Sequence, residues 1–221
     1  MVKRSRAVTD AFPIIIGYFS ISVAFGILAK EYIGGNAILM SLIVFAGASQ
    51  FIALQLITKN TSAALIVATT FLVNLRHILM SSYFTPFYRN VSKFKRALVA
   101  FGITDETFAL ASKRFQEGSG DTRYHLGLNF LCYSSWVGGT IVGLFFGSIV
   151  PGSITEVLPF TLVALFISIL ILNVNTKLDV GIALFSGVLA TALVVLPEGW
   201  NILIATLAAC LVGGVAEKWI K

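Results

Sequence analysis

The sequence predicts an all-α integral membrane protein, one polytopic unit over residues 1–221, with about six to eight hydrophobic helices packed as a bundle. Three observations predict it. Hydrophobic residues make up 57% of the 221 and charged residues only 12%, about half the charged share of an average soluble domain. The mean hydropathy is +0.90. Uncharged runs long enough to cross a bilayer recur along the chain and are separated by short turns. No soluble domain, low-complexity stretch or long linker interrupts them.

The charges are clustered. The formal net charge is +6. Lys3, Arg4 and Arg6 open the chain; Arg89, Lys93, Lys95 and Arg96 form a second group, and Lys113, Arg114 and Arg123 a third. In a membrane protein such groups read as cytoplasmic flanks of the spans and not as a nucleic-acid patch. Cys132 and Cys210 sit in apolar runs without metal-ligand spacing and read as small core residues. Nothing calls for a metal or cofactor.

The first span is Ala11–Ala29, 19 uncharged residues. It is longer than a signal-peptide core of roughly 7–15 residues and lacks a clear cleavage site, so it reads as a retained helix. Pro13, Gly17, Ser20 and Ala24 share one face, which predicts close approach of a second helix there. Gly34-Gly35-Asn36 turns the chain. Tyr32–Thr58 carries no charge and is long enough to span, but Phe45-Ala46-Gly47-Ala48-Ser49-Gln50-Phe51 stands in its middle. Small and polar residues in succession mark either tight packing or a point where a helix unwinds toward a cavity.

Thr61–Phe87 holds the most informative stretch, Asn74-Leu75-Arg76-His77. Ionisable side chains inside a span cost a few kcal/mol or more and mark function by default. Thr70, Asn74, His77 and Ser81 form a polar stripe on one helix face, with Arg76 about 100° round from His77. The run ends in Tyr83, Phe84, Pro86, Phe87 and Tyr88, which reads as an interfacial aromatic belt.

Phe94–Phe115 is basic at both ends and interrupted by Gly102. Thr104-Asp105-Glu106 has the form of a new helix start, a cap followed by two acids at the positive end of the dipole. Those acids either serve that end alone or face the bundle and handle protons or substrate. Leu126–Val150 follows with Gly139, Gly143 and Gly147 on one face, a strong packing signal. Three more spans read as Val157–Asn175, Val180–Pro197 and Gly199–Ala216. A faint internal similarity aligns 45–53 with 160–168, as in transporters built from repeats.

Charge and hydropathy disagree on topology. If every apolar run spans and the N-terminus is inside, Arg89–Arg96 falls outside, against the positive-inside bias. The conflict disappears if Tyr32–Thr58 and Phe94–Phe115 each enter and leave on one side, broken near Gly47–Gln50 and Gly102–Thr104. Alternatively Phe94–Phe115 spans and one loop breaks the rule. Both readings leave the termini cytoplasmic, and discontinuous helices are the preferred one.

The ordered motifs Gly17-Tyr18…Ala24-Phe25-Gly26, Phe45-Ala46-Gly47-Ala48-Ser49-Gln50-Phe51, Asn74-Leu75-Arg76-His77 and Thr104-Asp105-Glu106-Thr107-Phe108 resemble the AzlC family. These are the large subunits of branched-chain amino-acid exporters, named for azaleucine resistance. The resemblance implies a multi-pass inner-membrane secondary transporter for leucine, isoleucine and valine, with methionine as a further substrate. It also implies a small AzlD-type membrane partner. Proton coupling is expected, since the chain has no Gly-x-x-x-x-Gly-Lys-[Ser/Thr] nucleotide loop. A channel, an importer or a structural subunit would share the same polar core. His-Glu-x-x-His and Gly-x-Ser-x-Gly signatures are absent, which argues against an intramembrane enzyme.

The expected substrate is a zwitterion with an apolar side chain. Arg76, or helix ends near Gly47–Gln50 and Thr104, would take its carboxylate. Asn74 and Gln50 would orient it. Asp105 or Glu106 would take the ammonium or a proton. His77 is a further proton carrier, because an imidazole titrates near neutral pH.

Overall fold

Backbone N–H and C=O groups in hydrocarbon must pair within the protein, which restricts a chain of this composition to helices. The structure, a computed structural model, describes residues 2–149, 160, 163–164, 167, 170–171, 174, 176–196 and 200–220. Among them are nine α-helices and no strand. They are α1 (Val2–Ile33), α2 (Asn36–Val44), α3 (Gly47–Thr58), α4 (Ala63–Tyr83), α5 (Lys93–Phe101), α6 (Asp105–Gln116), α7 (Thr122–Phe146), α8 (Lys177–Ala192) and α9 (Trp200–Ile220). Among the described residues, α1, α4 and α7 are the ones long and apolar enough to cross a membrane. The expected span over 157–175 and the second partner of the 45–53 similarity lie mostly outside the described residues.

The scaffold is the contact of α1 with α7, the most extensive between any two described helices. Ser135 donates to the Ile15 carbonyl. A Cβ on Gly139 would come within 2.0 Å of Ser22 Oγ, and one on Gly143 within 2.1 Å of the Val23 carbonyl. One on Gly147 would meet Ile27. The numbers rise together, so the two helices run parallel, backbone against backbone. The expected glycine face of α7 is therefore the packing face. The expected α1 face is not. Pro13 and Ser20 are exposed, and a Cβ on Gly17 would meet nothing within 4 Å. The α1 residues that take the contact are Phe19, Ser22, Val23 and Gly26, because α7 needs bare backbone opposite its own glycines.

Between α1 and α7 the chain makes two broken helices. After the Gly34 turn (φ +51), α2 runs back against α7, with Ser41 beside Thr140 and Phe45 beside Tyr133. It ends at Phe45, which has the left-handed φ of 37°. A bulky residue there costs about 1–2 kcal/mol. The Phe45 ring is wedged edge-on against Tyr18 and Tyr133, which holds the strained bend. Helix α3 then climbs back, with Gly47 against Trp136 and Phe51 against Phe25. The segment thus enters and leaves at one end of the bundle.

Helix α4 crosses to the other end, where a 3-10 turn, Thr85–Tyr88, redirects the chain. Helix α5 rises until Phe101 reaches Tyr133. The chain breaks at Gly102 and Ile103, and α6 descends until Arg114 and Phe115 reach Tyr124 and His125. This is a second hairpin, entering from the opposite end. The order of long helix followed by broken hairpin therefore occurs twice, α1–α3 and α4–α6, in inverted orientation, a plan shared with many transporters. The repeat visible in the structure lies here.

Helix α7 pins both hairpins. At the first, Gln50 Nε2 donates to Ser41 Oγ (2.9 Å) and Ser41 meets Thr140 (2.8 Å). Thr140 donates to the Trp136 carbonyl (3.0 Å), and Trp136 Nε1 donates to Gln50 Oε1 (2.8 Å). Since the Thr140 hydrogen is committed, Ser41 is the donor in its pair, and the hydrogen bonds form a closed circuit. At the second, Asn129 Nδ2 donates to the Val99 carbonyl at the end of α5 (3.0 Å). A Cβ on Gly102 would collide with Asn129 at 2.5 Å.

One end of the bundle gathers Arg6, Arg89, Lys93, Arg96, Arg114 and Arg123, at the termini of α1, α5, α6 and α7. There Asp10 accepts from Arg114 Nε and Nη2 and from Tyr124, each at 2.8 Å. The expected aromatic belt is in part core: Phe84 and Tyr88 are 2% and 4% exposed. They close around His125, whose Nδ1 meets Tyr88 Oη at 2.8 Å. Of the cysteines, Cys132 is buried as expected, but Cys210 lies on the exposed side of α9. Helices α8 and α9 pack on each other, with Gly213 against Ile182.

Two outcomes follow. Gly139→Leu would force a side chain into the α1 backbone and destabilise the protein by about 3 kcal/mol, the upper range for overpacking, read as a lower melting temperature in detergent. Gln50→Leu would leave Trp136 Nε1 unpaired and cost about 1–3 kcal/mol in the same assay.

Candidate functional site

Where the hairpin tips meet, two helix N-termini point into one cavity from opposite ends of the bundle. Ala46, Gly47 and Ala48 bring the start of α3; Thr104, Asp105 and Glu106 bring the start of α6. Such termini carry unpaired N–H groups and the positive end of the dipole, which favours anions. Arg76 and His77 of α4 close one side, and Tyr18, Ile21 and Trp136 the other. The cavity volume is about 30 Å³, room for a water or two.

Arg76 Nη1 lies 2.7 Å from Asp105 Oδ2. The two side chains are 31% and 25% exposed, so the pair sits at the rim. Arg76 Nε is buried and has no hydrogen-bond partner among the described residues. An unpaired guanidinium N–H in such a place is a stabilising partner for an incoming carboxylate.

The second acid is held differently. Tyr18 Oη lies 2.5 Å from Glu106 Oε2 and 2.6 Å from Thr104 Oγ1. A phenol has one hydrogen, so Tyr18 Oη donates to one of these two oxygens at a time. Thr104 also caps α6: its hydroxyl accepts from the Thr107 N–H, while the Thr107 hydroxyl accepts from the Thr104 N–H. The Thr104 and Thr107 N–H groups are thereby taken. Those at the start of α3 have no side-chain cap.

Five of the seven expected site residues, Arg76, His77, Thr104, Asp105 and Glu106, line this one cavity. The other two do not. Gln50 is fully buried in the circuit that pins the first hairpin. Asn74 accepts from Ser49 Oγ at 2.6 Å and fastens α4 to α3. Both orient the walls and do not face the space within. Arg76 joins His77 at the cavity although they lie on neighbouring faces of α4, because the space falls between those faces. Tyr18 and Trp136 were missed as site residues. Tyr18 stands in an apolar run where Ser22 alone is polar at helical spacing, and its partners are 86 and 88 residues away. The signal present was a phenol inside a span, which needs a hydrogen-bond partner when buried.

The family model for the AzlC protein matches residues 13–150, more than half of the chain and nearly all of the α1–α7 bundle. An inner membrane protein of Escherichia coli K12, YgaZ, is 31% identical over 95% of this chain and 89% of its own. A membrane protein of Archaeoglobus fulgidus is 33% identical over 97% and 94%. The branched-chain amino acid transport protein AzlC of Bacillus subtilis is 31% identical over 77% and 70%. No solved structure matches significantly. With nearly all of the bundle matched and the cavity within the matched part, the chain belongs to the AzlC family and is a multi-pass membrane protein with a role in transport.

Proposed function

We propose that the protein exports branched-chain amino acids, with methionine as a further substrate, across the cytoplasmic membrane. The proton gradient drives it, and a small AzlD-type membrane subunit is its partner. The observation that carries this reading is the cavity at the hairpin tips, where a cation with a spare N–H, two carboxylates and an uncapped helix start meet against apolar walls. The Bacillus subtilis relative, named for branched-chain amino acid transport, supports the substrate class.

The chemistry follows from charge balance. A zwitterion entering the cavity exchanges partners with the Arg76–Asp105 pair. Its carboxylate takes Arg76 Nε and the N–H groups at Gly47 and Ala48, and the freed Asp105, with Glu106, takes the ammonium. No net charge enters the membrane interior, which avoids the cost of an unpaired ion there. Phe45, Ile21 and Trp136 receive the aliphatic side chain, so selection works by size and not by hydrogen bonds. His77, beside Arg76 in the cavity, carries the coupling proton. The basic end of the bundle faces the cytoplasm, which places the chain's start there as well.

The test is leucine efflux from cells or proteoliposomes. Arg76→Ala and Asp105→Asn each lower the rate at least about tenfold, since removing one member of a partly buried pair costs more than 1.4 kcal/mol. If both variants are folded, bind the small subunit and export at the wild-type rate, the assignment is wrong. Omitting the small subunit abolishes export in the same assay.

A further inference from the structure

One helical turn beyond the central cavity, toward the basic end, lies a second and larger one of about 150 Å³. Cavities of that size hold a benzene-sized ligand elsewhere. Along α4 and its C-terminal cap the central cavity is lined by Arg76 and His77 and the second by Ser81 and Phe84. On the facing hairpin the central cavity is lined by Thr104 and the second by Ile103 and Val99. The two spaces therefore stack between the same pair of elements, with Ile103 at the boundary. Ile103 is 2% exposed. Its backbone belongs to the break between α5 and α6, and its N–H reaches only the Ala100 carbonyl, at 3.3 Å.

The second cavity has what a waiting position for an aliphatic amino acid needs. Arg96 lines it and makes no ion pair among the described residues. The Ser81 and Thr85 hydroxyls stand beside it, and Phe84, Val99 and Ile103 supply an apolar wall. It has no carboxylate, so an ammonium there stays in water and binding is weaker than at the central site.

We propose that this cavity is the loading vestibule of the transport path, that Arg96 receives the carboxylate of the incoming aliphatic amino acid, and that Ile103 is the plug between vestibule and central site. The proposal rests on the transport reading of the central cavity.

Thiol accessibility tests the plug without requiring transport. In a Cys210→Ser background, a membrane-impermeant methanethiosulfonate is added at the basic end. Ser81→Cys reacts about tenfold faster than Ala48→Cys, and adding Ile103→Ala raises the Ala48→Cys rate roughly tenfold, as expected when a local closure is removed. Equal rates with Ile103 in place, or no response to Ile103→Ala, overturn the plug. Leucine flux in oriented proteoliposomes tests Arg96. Arg96→Gln raises KM from the basic side about twofold to fivefold, the size of an exposed charge contact, and leaves KM from the other side unchanged; Arg96→Lys restores it. An unchanged KM, or one raised equally from both sides, removes the vestibule while the central site stands. A wild-type protein that moves no leucine removes the central reading and the loading role with it.

Discussion

A helix that stops halfway across a bilayer leaves backbone groups with no water to take them. Two helices stop that way here, and the rest of the structure depends on how that cost is met. At the first break Trp136 and Thr140 of α7 close a hydrogen-bond circuit with Ser41 and Gln50. At the second, Asn129 of α7 takes the Val99 carbonyl and the Thr104–Thr107 box takes the start of α6. Helix α7 can reach both because glycine lets it lie directly on α1. The start of α3, which no side chain caps, lines the cavity.

The same arrangement explains why charge is tolerated at this depth. Arg76 and Asp105 come from different elements and neutralise each other. Glu106 is satisfied by a phenol. Such a cluster is stable as long as its partners stay paired, and a ligand that carries both charges can replace those pairings one for one. An anion or a cation alone cannot. That match of two opposite charges is the ground on which a zwitterion is proposed as the ligand.

Much of this was legible locally. Gly47–Gln50 and Gly102–Thr104 announced nearby breaks through glycine, small residues and a capping sequence; the first break falls just before, at Phe45–Ala46, and Gly47–Gln50 opens the next helix. Asn74, Arg76 and His77 announced themselves by cost. The clash between charge and hydropathy pointed to hairpins entering from opposite ends, and with them the basic clusters come to one end. What was not legible was facing. The stripe Pro13-Gly17-Ser20-Ala24 looked like a packing face, yet only part of it is buried, because small size permits contact without choosing a neighbour. Gln50 and Asn74 are polar enough for a site but are consumed by Ser41, Trp136 and Ser49.

By itself the sequence determined the membrane class, the places where helices must stop, and which polar side chains had to find partners. Each of these is a local matter of backbone freedom, capping or desolvation, readable within a few residues. Only the tertiary structure decided which partners those were. Tyr18 meets Thr104 and Glu106 across 86 and 88 residues, and that distance is bridged by the register of α1 on α7. The register is set by the fit of the α7 glycines against the α1 backbone; the sequence marked the α7 side of that fit but not the residues of α1 that take it, because a glycine permits contact without choosing a neighbour.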